Sequence, residues 1–268
     1  MAKAAGLTTF AVSDHDTLEG SRRAILKGAE AGVHVIPAVE ISTALNGNVL
    51  HILGYYVDIN NEPLAKTLQG ICEYRIQRAK SLVENTNKEL LALGKAPMDL
   101  QYILDIGNEK PITRSDIAQY LIDLGYVATK QEAFDRWLEK YNVPNKDLSL
   151  EETIQLIHGA GGVAVLAHPN SKFLSLWHIS SNFAEITNML TTMKAQGLDG
   201  VEVYRTEHTP EDQERYTTLA HSLGLALSGG SDFHGPHNQT SPEKIAAIDV
   251  PDSVAEVLET VSTKYKHV

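Results

Sequence analysis

The sequence predicts an α/β fold: parallel β/α units forming one barrel or sheet domain, interrupted by a helical insertion. Two observations carry this reading. Short apolar, β-branched runs alternate with stretches of helical periodicity at both ends of the chain, the rhythm of parallel β/α units. Between about Glu62 and Asp147 that alternation stops, and helical patterns alone remain.

The first unit opens on the strand TTFAVSDH, residues 8–15, and runs into the helix DTLEGSRRAILKGAEAG. Asp16 followed three residues later by Glu19 is read as a capping box, and Gly32 as the C-terminal stop. VHVIPAVEIS is the second strand. NVLHILGYYV follows it across Asn46-Gly47, a dipeptide that favours a tight hairpin turn. The insertion carries helices in CEYRIQRAKSLVENTNKELLALG, ITRSDIAQYLIDLG and TKQEAFDRWLEKY. Strands VAVLAHP, LDGVEVYRT and LALSGGSDFH then alternate with helices in LEETIQLIHGAGG, NFAEITNMLTTMKAQG, PEDQERYTTLAHSLG and PDSVAEVLETVST. The division expected is residues 1–61 and 148–268 for the β/α domain and 62–147 for the helical subdomain.

Composition is that of an ordinary globular chain, and no apolar run approaches the roughly 20 residues that span a bilayer. The opening MAKAAGLTTF has no export signal, and the lone Cys72, in a helical run, fits a packing role in a reducing compartment. The expected location is the cytoplasm. A net charge of -11 argues against binding duplex nucleic acid, which needs an excess of Lys and Arg on one face. A small phosphorylated ligand is compatible with it.

The informative pattern is one of position. His15, Glu40, His168, Asp232 and His234 all fall at or just beyond the C-terminal end of a predicted parallel strand, the rim where β/α barrels build active sites. His51 joins them if its hairpin strand returns across the same rim. A single histidine at a strand end is more often a hydrogen-bonded structural residue than a ligand. Recurrence changes the balance, because a carboxylate as deep as Glu40, behind VIPAV, needs a partner charge, hydrogen bonds or a metal to offset its desolvation. Imidazoles mixed with carboxylates suit Zn, Mn or Fe.

SDHDT, PAVEIS, HILGYYVD, AGGVAVLAHP and GGSDFHG, in this order and spacing, resemble the polymerase and histidinol phosphatase (PHP) superfamily across nearly the whole chain. The resemblance is to its small stand-alone nucleotide phosphoesterases. It implies a distorted (β/α)7-type PHP barrel holding one to three divalent ions, Mn, Zn or Fe. It also implies that Glu40 bridges two ions, with His51 and His168 completing the shell of one. Asp232 would bind the other, and His15 with His234 a third. Glu40 and Asp232 are thereby the catalytic carboxylates, and Asp14 and Asp16 supporting residues. Relatives carry an arginine at the position of Arg114 that faces the substrate phosphate, with histidine two residues later where this chain has Asp116. Arg75 and Arg78 share a helix face and offer further substrate contacts, their alternative being a solvated face; His208 either reaches the rim or caps the next helix. His34, His158, His178, His221, His237 and His267 are read as structural or exposed.

Relatives open with a strand bearing His-x-His, followed by a helix ending like AKAAGL. The sequence here starts inside that helix, so the first strand is expected to be missing and activity of this chain alone to be low. The function implied is metal-dependent hydrolysis of a small phosphorylated nucleotide, such as a nucleoside 3′,5′-bisphosphate, or of the 5′ ends of short single-stranded RNA. The rivals are a histidinol-phosphate phosphatase and a catalytically inert metal- or nucleotide-binding barrel.

Overall fold

The computed structural model describes residues 1–109, 112–234 and 245–266. Two of the histidines read as structural or exposed, His237 and His267, lie outside the described residues. The chain divides into two compact units, Met1–Lys66 with Asp147–Val268, and Thr67–Lys146.

The first unit is built on a mixed sheet. A short 3-10 turn, Ala2–Ala5, leads into β1 (Thr9–Val12), and α1 (Glu19–Ala31) returns to β2 (His34–Leu45). Gly32 stops α1 in the left-handed conformation, φ 69°, as the sequence predicts. The predicted capping box is absent: the N-cap is Leu18, without a side-chain bond. Asp16 instead turns inward, where its carboxylate accepts from the Ser42 amide and hydroxyl at 2.9 and 3.1 Å. A fully buried carboxylate must be satisfied, and β2 supplies two donors to it.

β3 (Asn48–Tyr55) follows from β2 through Asn46 and Gly47, both at positive φ (49° and 80°), the primed turn that this dipeptide favours. β4 (Leu148–Ser149), β5 (Val163–Leu166), β6 (Gly200–Arg205) and β7 (Ala226–Gly230) complete the sheet. Its order is β1-β2-β3-β5-β6-β7, with β4 beside β2. The β1-β2, β5-β6 and β6-β7 pairs are parallel, whereas β3 runs antiparallel to both β2 and β5. Among the described residues β1, β4 and β7 each have one strand neighbour, and β1 and β7 are the two ends of the main run.

The helices of this unit are α6 (Leu150–Gly159), α7 (Leu176–Ile179), α8 (Phe183–Ala195), α9 (Pro210–Leu223) and α10 (Asp252–Ser262). Leu258 of α10 packs on a core of Ile36, Ala38, Leu53, Val163 and Val165. Each Val, Leu or Ile side chain so withdrawn from water stabilises the sheet by roughly 1.5–3 kcal/mol. The short α7 and β4 carried no periodicity visible in the sequence.

α2 (Glu62–Ala92) carries the chain into the second unit, which continues with α3 (Leu100–Glu109), α4 (Arg114–Asp123), α5 (Lys130–Ala133) and one π-helical turn, Phe134–Leu138. It has a hydrophobic core of its own, including Leu82, Val83, Leu90, Ile103, Leu121, Trp137 and Leu138. The sequence reading missed α3. Cys72 is half-buried.

Candidate metal centre

Glu40 lies within β2, not at its end, because the strand continues to Leu45 in the hairpin with β3. Its parallel pairing with β1 stops at Pro37, and an isolated bridge brings His15 opposite Glu40. Glu40 therefore stands inside a strand rather than at the strand end that the sequence predicts, three residues past the last β1 partner, Pro37. His51 lies in the antiparallel β3, opposite Ser42, and His168 follows β5 by two residues. The hairpin returns His51 to the same place.

Glu40, His51 and His168 are 5%, 8% and 7% exposed, and their donor atoms converge. His51 Nδ1 stands 2.7 Å from Glu40 Oε1, and His168 Nε2 stands 3.2 Å from the same oxygen. The two ring nitrogens are 3.0 Å apart. The other carboxylate oxygen, Oε2, faces His15 Nδ1 at 3.8 Å. Glu40 thus offers Oε1 to the imidazoles of His51 and His168 and Oε2 to that of His15. Burial pushes its carboxyl up. Hydrogen bonds to His168 and His51, with the charge of His15, outweigh that and hold it well below the ordinary range. Burial likewise lowers His15, which Glu40 only partly offsets.

Donor atoms arranged tetrahedrally at about 2.1 Å from a metal lie about 3.4 Å from one another, so the separations around Glu40 Oε1 suit an ion with little rearrangement. Two imidazole nitrogens and a carboxylate oxygen in mutual contact also fit zinc-, manganese- or iron-type chemistry. His15, Glu40 and His51 offer a second such grouping, with ligand atoms within 4.8 Å of one another.

Asp232 and His234 are more open, with side chains 39% and 47% exposed. Their side chains stand 3.6 Å apart, and the His234 ring centroid is 6.1 Å from that of His15. Asp232 Oδ2 also lies 3.6 Å from Arg205 Nη2.

The remaining predicted positions are distributed differently. His208 is 7% exposed; its Nδ1 lies 2.8 Å from the Val203 carbonyl and its ring stacks on Tyr216. Thr209, not His208, caps α9, so the capping alternative is not realised, and His208 Nε2 is shielded from solvent. Burial pushes its pKa down. In the second unit, Arg114 pairs with Glu139 at 2.8 Å and lies over the Phe134 ring. Arg75 and Arg78 are half-buried on α2, so a fully solvated face does not describe them, and Arg78 bonds the Val143 carbonyl and Asn142. Asp116 completes a capping box with Thr113 at the start of α4. His34, His178 and His221 are exposed, and His158 pairs with Asp199 at 2.7 Å.

Sequence reasoning missed Glu202 and Arg205. Each is 4% exposed, and they pair at 2.7 Å. Two opposite charges inside the apolar strand GVEVYR were the available sign.

No helix among the described residues is long and apolar enough to cross a membrane. No protein-family model matches the chain. Individual proteins do. The chain is 31% identical over 237 residues to the 5′-3′ exoribonuclease Rnm of Salmonella typhimurium, covering 85% of this chain and 75% of that protein. It is 30% identical over 230 residues to the 3′,5′-nucleoside bisphosphate phosphatase of Chromobacterium violaceum, covering 85% and 77%. A crystal structure described as a metal-dependent phosphoesterase from Bifidobacterium adolescentis superposes with a TM-score of 0.77 at 28% identity, over 97% of this chain and 87% of that one.

Proposed function

Because the chain belongs to the polymerase and histidinol phosphatase (PHP) superfamily of metal-dependent phosphoesterases, we propose that it hydrolyses phosphate esters of small nucleotides. The substrates proposed are a nucleoside 3′,5′-bisphosphate or the 5′ ends of short single-stranded RNA; the two relatives are named a 3′,5′-nucleoside bisphosphate phosphatase and a 5′-3′ exoribonuclease. The observation that carries this reading is the convergence of His51 Nδ1, His168 Nε2 and His15 Nδ1 on the two oxygens of one buried carboxylate. The net charge of -11 favours small or single-stranded phosphates over duplexes.

Glu40, His51 and His168 would hold one divalent ion, and Asp232, His15 and His234 would serve further ions. Divalent ions so held supply positive charge against the phosphate and make a bound water more acidic. Glu40, whose carboxyl its histidine neighbours hold well below the ordinary range, would supply negative charge to a bound cation. In the second unit we assign phosphate binding to Arg114, on the strength of the family resemblance and the planar fork that guanidinium offers to phosphate.

Release of inorganic phosphate from a nucleoside 3′,5′-bisphosphate and from histidinol phosphate, and of mononucleotides from a short 5′-phosphorylated RNA, each measured with Mn2+, tests the reading. Release from the bisphosphate or the RNA, abolished in Glu40→Gln, is expected. Release from histidinol phosphate alone would overturn the substrate assignment, and no release from any of them would overturn the activity.

A further inference from the structure

Beside the converging ligands lies a pair of buried charges that the hydrolytic reading leaves without a role. Glu202 and Arg205 are three residues apart on β6, and in a regular strand such residues face opposite sides of the sheet. β6 is irregular here. Glu202 pairs with Ser228 and Tyr204 with the next residue, Gly229, so Val203 is an extra residue and the strand bulges. The bulge restores Arg205 to the face of Glu202. It depends on Gly229, where a Cβ would run into the Tyr204 backbone.

Each end of the pair reaches a candidate ligand. Glu202 Oε2 accepts the His168 backbone N–H at 2.8 Å, and the Arg205 guanidinium donates to the same oxygen at 2.7 Å. Arg205 Nη2 then lies 3.6 Å from Asp232 Oδ2 and 3.4 Å from Glu207 Oε2. His168 and Asp232 are both non-glycine residues at positive φ, 29° and 51°, in loops that follow different strands. Such conformations cost on the order of 1–3 kcal/mol each and persist where surroundings enforce them. Two charges at 4% exposure gain little net stability over apolar residues of the same volume. What they add is direction: a hydrogen bond to the loop after β5 and an ion pair to the loop after β7, which set the two loops against each other.

We propose that Glu202 and Arg205 form a positioning strut, acting through His168 and Asp232 to hold these two ligands at the spacing that divalent cations require. The strut rests on the metal-site reading above but is not itself part of the ligand set. It makes Val203 and Gly229 the backbone features on which the geometry of the centre depends.

The test uses the whole chain and Co2+ as probe, with visible spectra to read coordination. Glu202→Met/Arg205→Met removes both charges at similar volume and leaves no unpaired buried ion. Its unfolding temperature is expected to stay near that of the parent. Exchange of the His168 amide should rise by about tenfold or more as its acceptor is lost. Co2+ affinity should fall by about 10- to 100-fold with an altered spectrum. Arg205→Lys covers the case in which the double variant does not fold. One ammonium can remain with Glu202 but cannot also reach Asp232, so His168 exchange should be kept while Co2+ affinity and spectrum change. Parent-like His168 exchange, affinity and spectrum in the double variant, or parent-like affinity and spectrum in Arg205→Lys, would overturn the strut. Co2+ uptake by Glu40→Gln equal to the parent's would overturn the metal-site reading, whereas parent-like Co2+ binding in the strut variants beside loss of uptake in Glu40→Gln would overturn the strut alone.

Discussion

Glu40 combines deep burial with a depressed pKa, and the two are reconciled only by the imidazoles around it. Removing its charge while keeping its shape should therefore empty the site without unfolding the sheet. Purified Glu40→Gln, analysed for metal beside the parent, is expected to lose the ion held with His51 and His168; equal content would refute the assignment. Arg114 makes a different claim, on substrate. Arg114→Ala should weaken affinity for a nucleotide monophosphate by about 1.5–3 kcal/mol if the lost bond is charge-assisted, and calorimetry showing no change would remove it from the site. His15, Glu40, His51 and His168 were legible in the sequence because each is polar and adjoins an apolar run. Arg205 was not: an Arg three residues after a Glu on a strand reads as two charges on opposite faces, and only the bulge brings them together.

At the scale of elements, helix starts and strand junctions carry the testable energetics. Thr113 accepts from the Asp116 amide while Asp116 accepts from the Thr113 amide, so Asp116 has a structural use at the position where relatives carry histidine. Thr113→Ala should cost about 0.5–2 kcal/mol, visible as an earlier unfolding midpoint of the second unit; no shift would show that the cap is idle. At the entry to β6, burial pushes the Asp199 carboxyl up, but bonds to His158, Tyr265 and the Ala164 amide outweigh it and leave the pKa below the ordinary value of 3.8. A depressed carboxylate pKa contributes stability that is complete above the unfolded value and is lost as pH falls through the folded one. The parent's advantage over Asp199→Asn should thus be constant near neutrality and shrink below about pH 4. Urea unfolding that gave the same gap at pH 7 and pH 3 would contradict this.

For the whole molecule, the sheet's order predicts where it opens first. β5 is buried throughout and sits between two strands, whereas β1 and β7, with one strand neighbour each among the described residues, are mostly half-exposed. Edge strands lack the second ladder that slows local opening. Amides of Thr9–Val12 and Ala226–Gly230 should exchange at least about tenfold faster than those of Val163–Leu166. Equal protection across the sheet would mean that something else covers the edges.

Strand and helix identity, the hairpin at Asn46-Gly47 and the candidate residues that converge on Glu40 could be read from the sequence, because apolar periodicity and turn chemistry are local properties of the chain. What tertiary structure alone decided is pairing. It turned Asp16 from a helix cap into a buried support of β2, moved His208 from the rim into the interior, and joined Glu202 and Arg205 across a bulge. Each of those outcomes is set by which partner meets a polar group once water is excluded, and the partners lie on elements distant in the chain or on a strand whose register is fixed only by its neighbour.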